Sequence, residues 1–448
     1  GYSSAASDVY KRQEENRKNF YKYVSQNILG MIGFSCYVLA DSYFISVAKG
    51  ADGLTALNLV MPLYSIIFSV GEMIGVGSAI RYAIGKIKKD ADADKYFWNS
   101  LIWCVMSSVI FVFAGVFFSA DIMRVLGADE HIVAVGNNYT KIFMCFAPMF
   151  MCNYVANAFV RNDGAPEIAM LATLFSSLFN IVFDYILMFP MKLGMEGAAL
   201  ATVLSPVIGM AICCIHFFSK KSTIRIRVCR PSVKLLVSGC QLGVSAFVGE
   251  MSSAVITLAY NFVILGIAGN IGVAAYGVVA NIAIVTTAAF NGIAQGSQPL
   301  ISKCFGKGDR EGCLQLKKMG YITAFVLAGI MYCILFTFSK EFVAIFNSEG
   351  SEMMAVYADM GVKLYFTGIF FAGLNIVGSG VFSATQEAVK AAVVSVARGF
   401  VFILGFVFLL SYLFEMTGVW LAYAAAEGAT CVLMFVMLIS DRSKMRNK

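Results

Sequence analysis

Continuous apolar runs of 18 or more residues recur from about residue 24 to residue 439, separated by short polar stretches. Each run is long enough to cross a hydrocarbon core of roughly 30 Å as a helix. The pattern predicts spans at 24–48, 56–84, 96–119, 133–160, 167–190 and 195–219, then at 235–268, 274–303, 316–340, 353–384, 388–412 and 417–439. These are unbroken runs and not short alternating segments, which excludes a transmembrane β-barrel. The largest interruption, 220–234 (KKSTIRIRVCRPSVK), reads as a basic linker. Residues 1–13 (GYSSAASDVYKRQ) lack the apolar core of a signal peptide and read as a non-native leader. The expected fold is an all-α polytopic membrane protein of twelve helices, with one six-helix lobe at 14–219, a second at 235–440, and a tail at 441–448.

Composition agrees with that picture. The chain has 448 residues, 59% hydrophobic and 14% charged, against roughly 45–50% and 25% for soluble domains. Of its 34 Lys and Arg, 27 fall at the N-terminus, the C-terminus and the even-numbered loops. The positive-inside rule then puts both termini in the cytoplasm of a multi-pass protein of the inner (plasma) membrane. The net charge of +7 is thereby explained by topology and does not indicate nucleic-acid binding. His131 and His216 are too few and too far apart for a histidine-based metal site or a catalytic triad, and no GxxxxGK[ST], HExxH or DDxxD occurs. We therefore expect no enzyme and no cofactor. The twelve cysteines contain no CxxC and read as small buried hydrophobes.

The halves repeat each other. AKGADGLTALNLV (48–60) parallels IAGNIGVAAYGVV (267–279), and Gly77-Ser78 parallels Gly296-Ser297, both at an offset of 219. TKIFMCFAPMFMCN (140–153) parallels VKLYFTGIFFAGLN (362–375), and Gly197 parallels Gly418. Six spans per half return each half to its starting side, so the repeats are parallel, as in transporters that alternate access between two lobes.

Ionisable groups within spans are costly and default to function. The deep acidic ones are Asp41, Glu72, Asp184, Glu250 and Glu427, and the basic ones away from the cytoplasmic span ends are Lys141, Lys363 and Arg398. Asp41 and Asp184 each lie about 17 residues into their spans, roughly 26 Å along a helix rising 1.5 Å per residue. Thr202 enters from the opposite side and reaches the same level. Asn180 lies one turn from Asp184 and faces the same way. The four form an oxygen-rich cluster able to hold a sodium ion or a proton. At the repeat offsets Asp41 falls on Tyr260, and Asp184 on Gly405 or Phe406, so the coupling site should be confined to the first half. Glu250 and Glu72 are candidates for a substrate or second-ion site, Glu427 for a structural carboxylate. Aromatic and methionine side chains lining a cleft would suit small organic cations or amphipathic drugs.

LADSYFISVAKGADGLTAL (39–57), RYAIGKIKKDAD (81–92), NIVFDYILMFP (180–190), MEGAALAT (195–202) and GSQPLISKCFGKGDRE (296–311) resemble the multidrug and toxic compound extrusion (MATE) family. The likeness is greatest to its bacterial DNA-damage-inducible branch, which keeps a cation site where Asp41, Asn180, Asp184 and Thr202 stand. Tyr139 and Asn157 match residues that support that site. The resemblance implies a V-shaped, twelve-helix antiporter in the lipid bilayer, expected to work as a monomer. It would export cationic or amphipathic compounds in exchange for Na+ or H+. Glu250 matches a C-lobe acidic residue of other branches, whereas 365–385 lacks its acidic partner. Gln26 replaces a proline usual in related exporters. The alternative within the superfamily, a flippase for lipids or lipid-linked saccharides, would line its cavity with several basic residues.

Overall fold

A bilayer offers backbone N–H and C=O groups no partners, so long apolar segments satisfy them internally as helices. The computed structural model describes residues 2–347 and 350–446; the first residue of the leader and the last two of the tail lie outside them. Twelve long helices follow one another. The first six are α1 (Ala6–Gly50), α2 (Asp52–Ile87), α3 (Lys95–Val125), α4 (Glu130–Cys145 with Ala147–Asn162), α5 (Pro166–Met188) and α6 (Gly194–Phe217). Then come α7 and α8 on either side of Gly269 within Val233–Gly306, α9 (Arg310–Thr337), α10 (Glu352–Ala384), and α11 and α12 on either side of Glu415 within Ala388–Ser440. Residues 222–232, between α6 and α7, form no helix. Helix α1 runs unbroken through Gln26, its one non-helical residue being Gly50. Among the described residues there is no strand.

The backbone carries the repeat more plainly than the side chains do. Gly50 (φ 59°) and Gly269 (φ 65°) reverse the chain at equivalent places. Three further pairs of positive φ recur at the repeat offsets: Lys89 with Gly308, Gly164 with Gln386, and Gly194 with Glu415. Only glycine adopts this region at no steric cost, so the non-glycine members are held there by the fold. Mid-span bends recur as well. Helix α4 bends by 48° at Phe146, and α10 tightens into a 3₁₀ turn at Phe366–Gly368.

One register expectation is overturned. Residues Ala397–Val401 of α11 form a π-helical turn, which absorbs one extra residue. From there to the end of α11 the halves align at an offset of 223. Asn180 and Asp184 are buried, and so are Ile403 and Val407; Val182 and Tyr185 are exposed, and so are Gly405 and Phe408. The counterpart of Asp184 is thus Val407, not Gly405 or Phe406.

Each lobe has its own apolar core, and each lends a helix start to the other. Phe20 and Val24 of α1 pack into the core of α7–α12, while Leu235 and Leu242 of α7 pack into that of α1–α6. Backbones touch where these exchanges occur. A Cβ on Gly77 would lie 1.9 Å from the Gly239 carbonyl oxygen, one on Gly243 2.0 Å from that of Met73, and one on Gly292 2.5 Å from the Ile28 Cα. With Gly296 beside Val24, the lobes meet as α2 on α7 and α8 on α1. This glycine seam closes the end of the bundle that carries the linker.

Candidate functional site

Beyond the seam the lobes enclose a cleft of about 1570 Å³, lined by Asp41, Tyr64, Glu250, Tyr276 and Arg398 among others. Helices α5 and α6 are antiparallel neighbours. Gly197 lets them meet backbone to backbone, since a Cβ there would lie 2.8 Å from the Leu187 carbonyl. That approach sets Thr202 opposite Asn180, whose Nδ2 donates to the Thr202 hydroxyl at 3.3 Å. One turn along α5, the Asp184 carboxyl is a close neighbour of that of Asp41 on α1. All four residues are at most 6% exposed. Yet Asp41 Oδ1, Asn180 Oδ1 and both Asp184 oxygens have no hydrogen-bond partner. Buried acceptors left unpaired are expensive, and oxygens of this kind are what a hard monovalent cation or a proton would satisfy.

Tyr139 is buried beneath the cluster, where its hydroxyl shares a hydrogen bond with that of Tyr64. Tyr64 stacks on Phe143 at 3.7 Å and faces the cleft. Sequence reasoning missed it because nothing separates one tyrosine in an apolar span from another. Asn157 lies elsewhere: it lines a deeper chamber with Glu72, Arg161 and Glu250, not the pocket around Asp41.

The inventory of basic residues within spans needs correction too. Arg161 belongs to the last turn of α4 and is only 7% exposed. Its Nη1 donates to Gln295 Oε1 at 2.9 Å and to Asn27 Oδ1 at 3.2 Å. Gln295 Nε2 in turn donates to Glu72 Oε1 at 3.2 Å. Position 161 follows directly on the apolar run, so hydropathy alone could not separate an inward-turned arginine from a solvated one. Glu250 is half-buried where the cleft meets this chamber. Glu427 is ion-paired, with Arg398 Nε at 2.8 Å and Asn375 Nδ2 donating to its carboxylate at 2.8 Å.

At the level of the oxygen cluster the second lobe holds aromatic rings. Tyr260 stacks on Tyr276 at 4.9 Å and Tyr365 on Tyr423 at 4.3 Å. Tyr276, Tyr365 and Tyr423 border the cleft, giving it a π-rich wall opposite an oxygen-rich one.

Residues 27–186 and 245–412 match the MatE family model. The chain is 26% identical over 421 residues to the multidrug export protein MepA of Staphylococcus saprophyticus, covering 93% of this chain and 92% of that one. It is likewise 26% identical over 423 residues to MepA of Staphylococcus aureus, with the same coverage. Among solved structures, it superposes with a TM-score of 0.89 on an outward-facing multidrug resistance MATE family transporter of the MOP superfamily, at 21% identity and 97% coverage of each chain. A MOP superfamily transporter from Pyrococcus furiosus superposes at 0.88, with 21% identity over 96% of this chain and 97% of that one.

Proposed function

This chain belongs to the MatE family, and on that footing we propose that it is a multi-pass antiporter of the plasma membrane. It exports cationic or amphipathic organic compounds in exchange for sodium ions or protons. The observation that carries this reading is the set of four unpartnered oxygens on Asp41, Asn180 and Asp184, buried beside a cleft between two lobes. Thr202 completes the ion site and Tyr139, through Tyr64, supports its floor. With 14–219 and 235–440 as lobes and the linker in the cytoplasm, the cleft faces outward while the glycine seam is shut. An external ion then reaches Asp41 and Asp184 directly. A ligand shifts a two-state equilibrium only through its differential affinity for the states. The ion therefore favours the outward state and the drug is released from it.

Glu250 and Glu72 form the acidic side of the substrate path, and the stacked tyrosines of the second lobe supply cation–π and apolar contact. The flippase alternative has less support, because Arg161 and Arg398 already serve Gln295, Asn27 and Glu427. The deciding experiment is transport by the purified protein in liposomes under independently imposed sodium and proton gradients. Uphill movement of an organic cation driven by one gradient, and lost with Asp184→Asn, is the expected result. Movement only down the compound's own gradient would overturn the reading.

A further inference from the structure

Arg161 and Glu72 belong to one lobe, and the amide that joins them comes from the other. Gln295 sits on α8 between Gly292 and Gly296, the two residues that press on the α1 backbone at Ile28 and Val24. Its placement is therefore fixed by closure of the seam. The same contact brings in Asn27, which lies between Val24 and Ile28 and accepts from Arg161 at 3.2 Å. The chain Glu72–Gln295–Arg161–Asn27 can exist only while the linker end is shut. Parting the lobes there withdraws Gln295 and leaves a carboxylate and a guanidinium of one lobe without their bridge. The network is also incompletely satisfied, since Arg161 Nε is buried without a partner. A buried charge of this kind is stable only while its counter-charge is near.

Resting on the export reading above, we propose that Arg161 is a tethered substitute for the transported cation. With the linker end open, Glu72 and Glu250 face the chamber and accept the positive charge of an organic cation. When the seam closes, Gln295 returns between Glu72 and Arg161, its amide, polarised by accepting from the guanidinium, donates to the Glu72 carboxylate, and the cation is freed toward the cleft. Release then needs no titration of Glu72. Arg161 and Gln295 act as positioning residues, setting when the carboxylate is available.

The test uses the full-length purified protein, with equilibrium binding of tetraphenylphosphonium and hydrogen exchange of seam segments 73–77 and 239–243. Arg161→Gln removes the internal cation, and the expected result is binding about tenfold tighter. Arg161→Lys should stay near the parent, and Glu72→Gln added to Arg161→Gln should cancel the gain. Gln295→Met keeps the side-chain bulk while cutting the bridge, and should both tighten binding and speed exchange in the seam. Unchanged or weaker binding in Arg161→Gln overturns the proposal. Should that variant fail to fold, Gln295→Met decides: tighter binding with faster exchange supports the latch, and parental values in both overturn it. A parent that does not bind the probe sinks the export reading instead, and seam exchange in Gln295→Met still decides the latch on its own.

Discussion

Where the first lobe gathers Asp41, Asn180, Asp184 and Thr202, the second lobe places Tyr260, Ile403, Val407 and Tyr423 at the equivalent buried positions. The scaffold of the two is the same: paired positive-φ turns, a mid-span departure from α-helix in the fourth span of each, and a seam built from Gly77 and its counterpart Gly296. What differs is whether the buried carboxylates are paired. The second lobe keeps charges, but its carboxylate is paired: Glu427 meets Arg398 at 2.8 Å and accepts from Asn375 Nδ2 at 2.8 Å. In the first lobe Asp41 Oδ1 and both Asp184 oxygens have no donor. A satisfied buried pair resists change, whereas an unsatisfied cluster is completed by whatever cation can reach it. Duplication thus preserved the turns and the seam, while the unpaired carboxylates are found in one copy.

The comparison breaks most directly at the cluster itself. Asp41→Asn and Asp184→Asn should each reduce ion-driven efflux in liposomes to background while leaving the folded protein intact, since an amide fits the same space but carries no titratable oxygen. Wild-type efflux in either variant would remove the difference between the lobes.

The next largest effect belongs to the second lobe and is one of stability. Glu427→Leu leaves the partly buried Arg398 without its counter-charge, at a cost of up to about 3 kcal/mol, the lower end of the range for a fully buried pair. Pairing it with Arg398→Met should restore most of the loss in thermal unfolding, because no lone charge remains. If the single and double variants melt alike, the pair is not the self-contained unit described here.

A smaller effect is expected at the aromatic wall. Replacing a stacked ring by Tyr423→Leu removes an aromatic contact worth about 0.5–1.5 kcal/mol, so affinity for a fluorescent cation should fall by several-fold. Its dependence on sodium or pH should not change, and a lost dependence would move ion coupling into the second lobe.

The smallest difference lies at the outer surface. His131 Nε2 and Asp52 Oδ2 are 2.8 Å apart, while their counterparts in the second lobe are Met353 and Ile271. The hydrogen bond and charge of Asp52 raise the His131 pKa. The charged pair is therefore complete below the ordinary imidazole value of about 6.5 and is lost as pH rises through the raised one. Asp52→Asn should lower the His131 titration toward that ordinary value by NMR, in a chain whose only other histidine is His216. An unmoved titration would show that the exposed pair does not form.

Hydropathy and length are local quantities, so the twelve spans, their order and the duplication were written in the chain and could be read without coordinates. Depth is nearly local as well. A helix rises 1.5 Å per residue, which sufficed to bring Asp41, Asn180, Asp184 and Thr202 to one level. Rotation about the helix axis and the crossing of neighbours are not local. They decided that Asn157 lines the lower chamber with Arg161, that Tyr64 reaches Tyr139, and that Gln295 bridges the lobes. The π-helical turn at 397–401 shifted the register by one residue and replaced Gly405 with Val407 as the counterpart of Asp184. No side-chain pattern announces an extra residue inside an apolar run. Sequence determined which groups lie within the membrane, but whether each is paired depends on distances of about 3 Å, and those are set only when the helices pack.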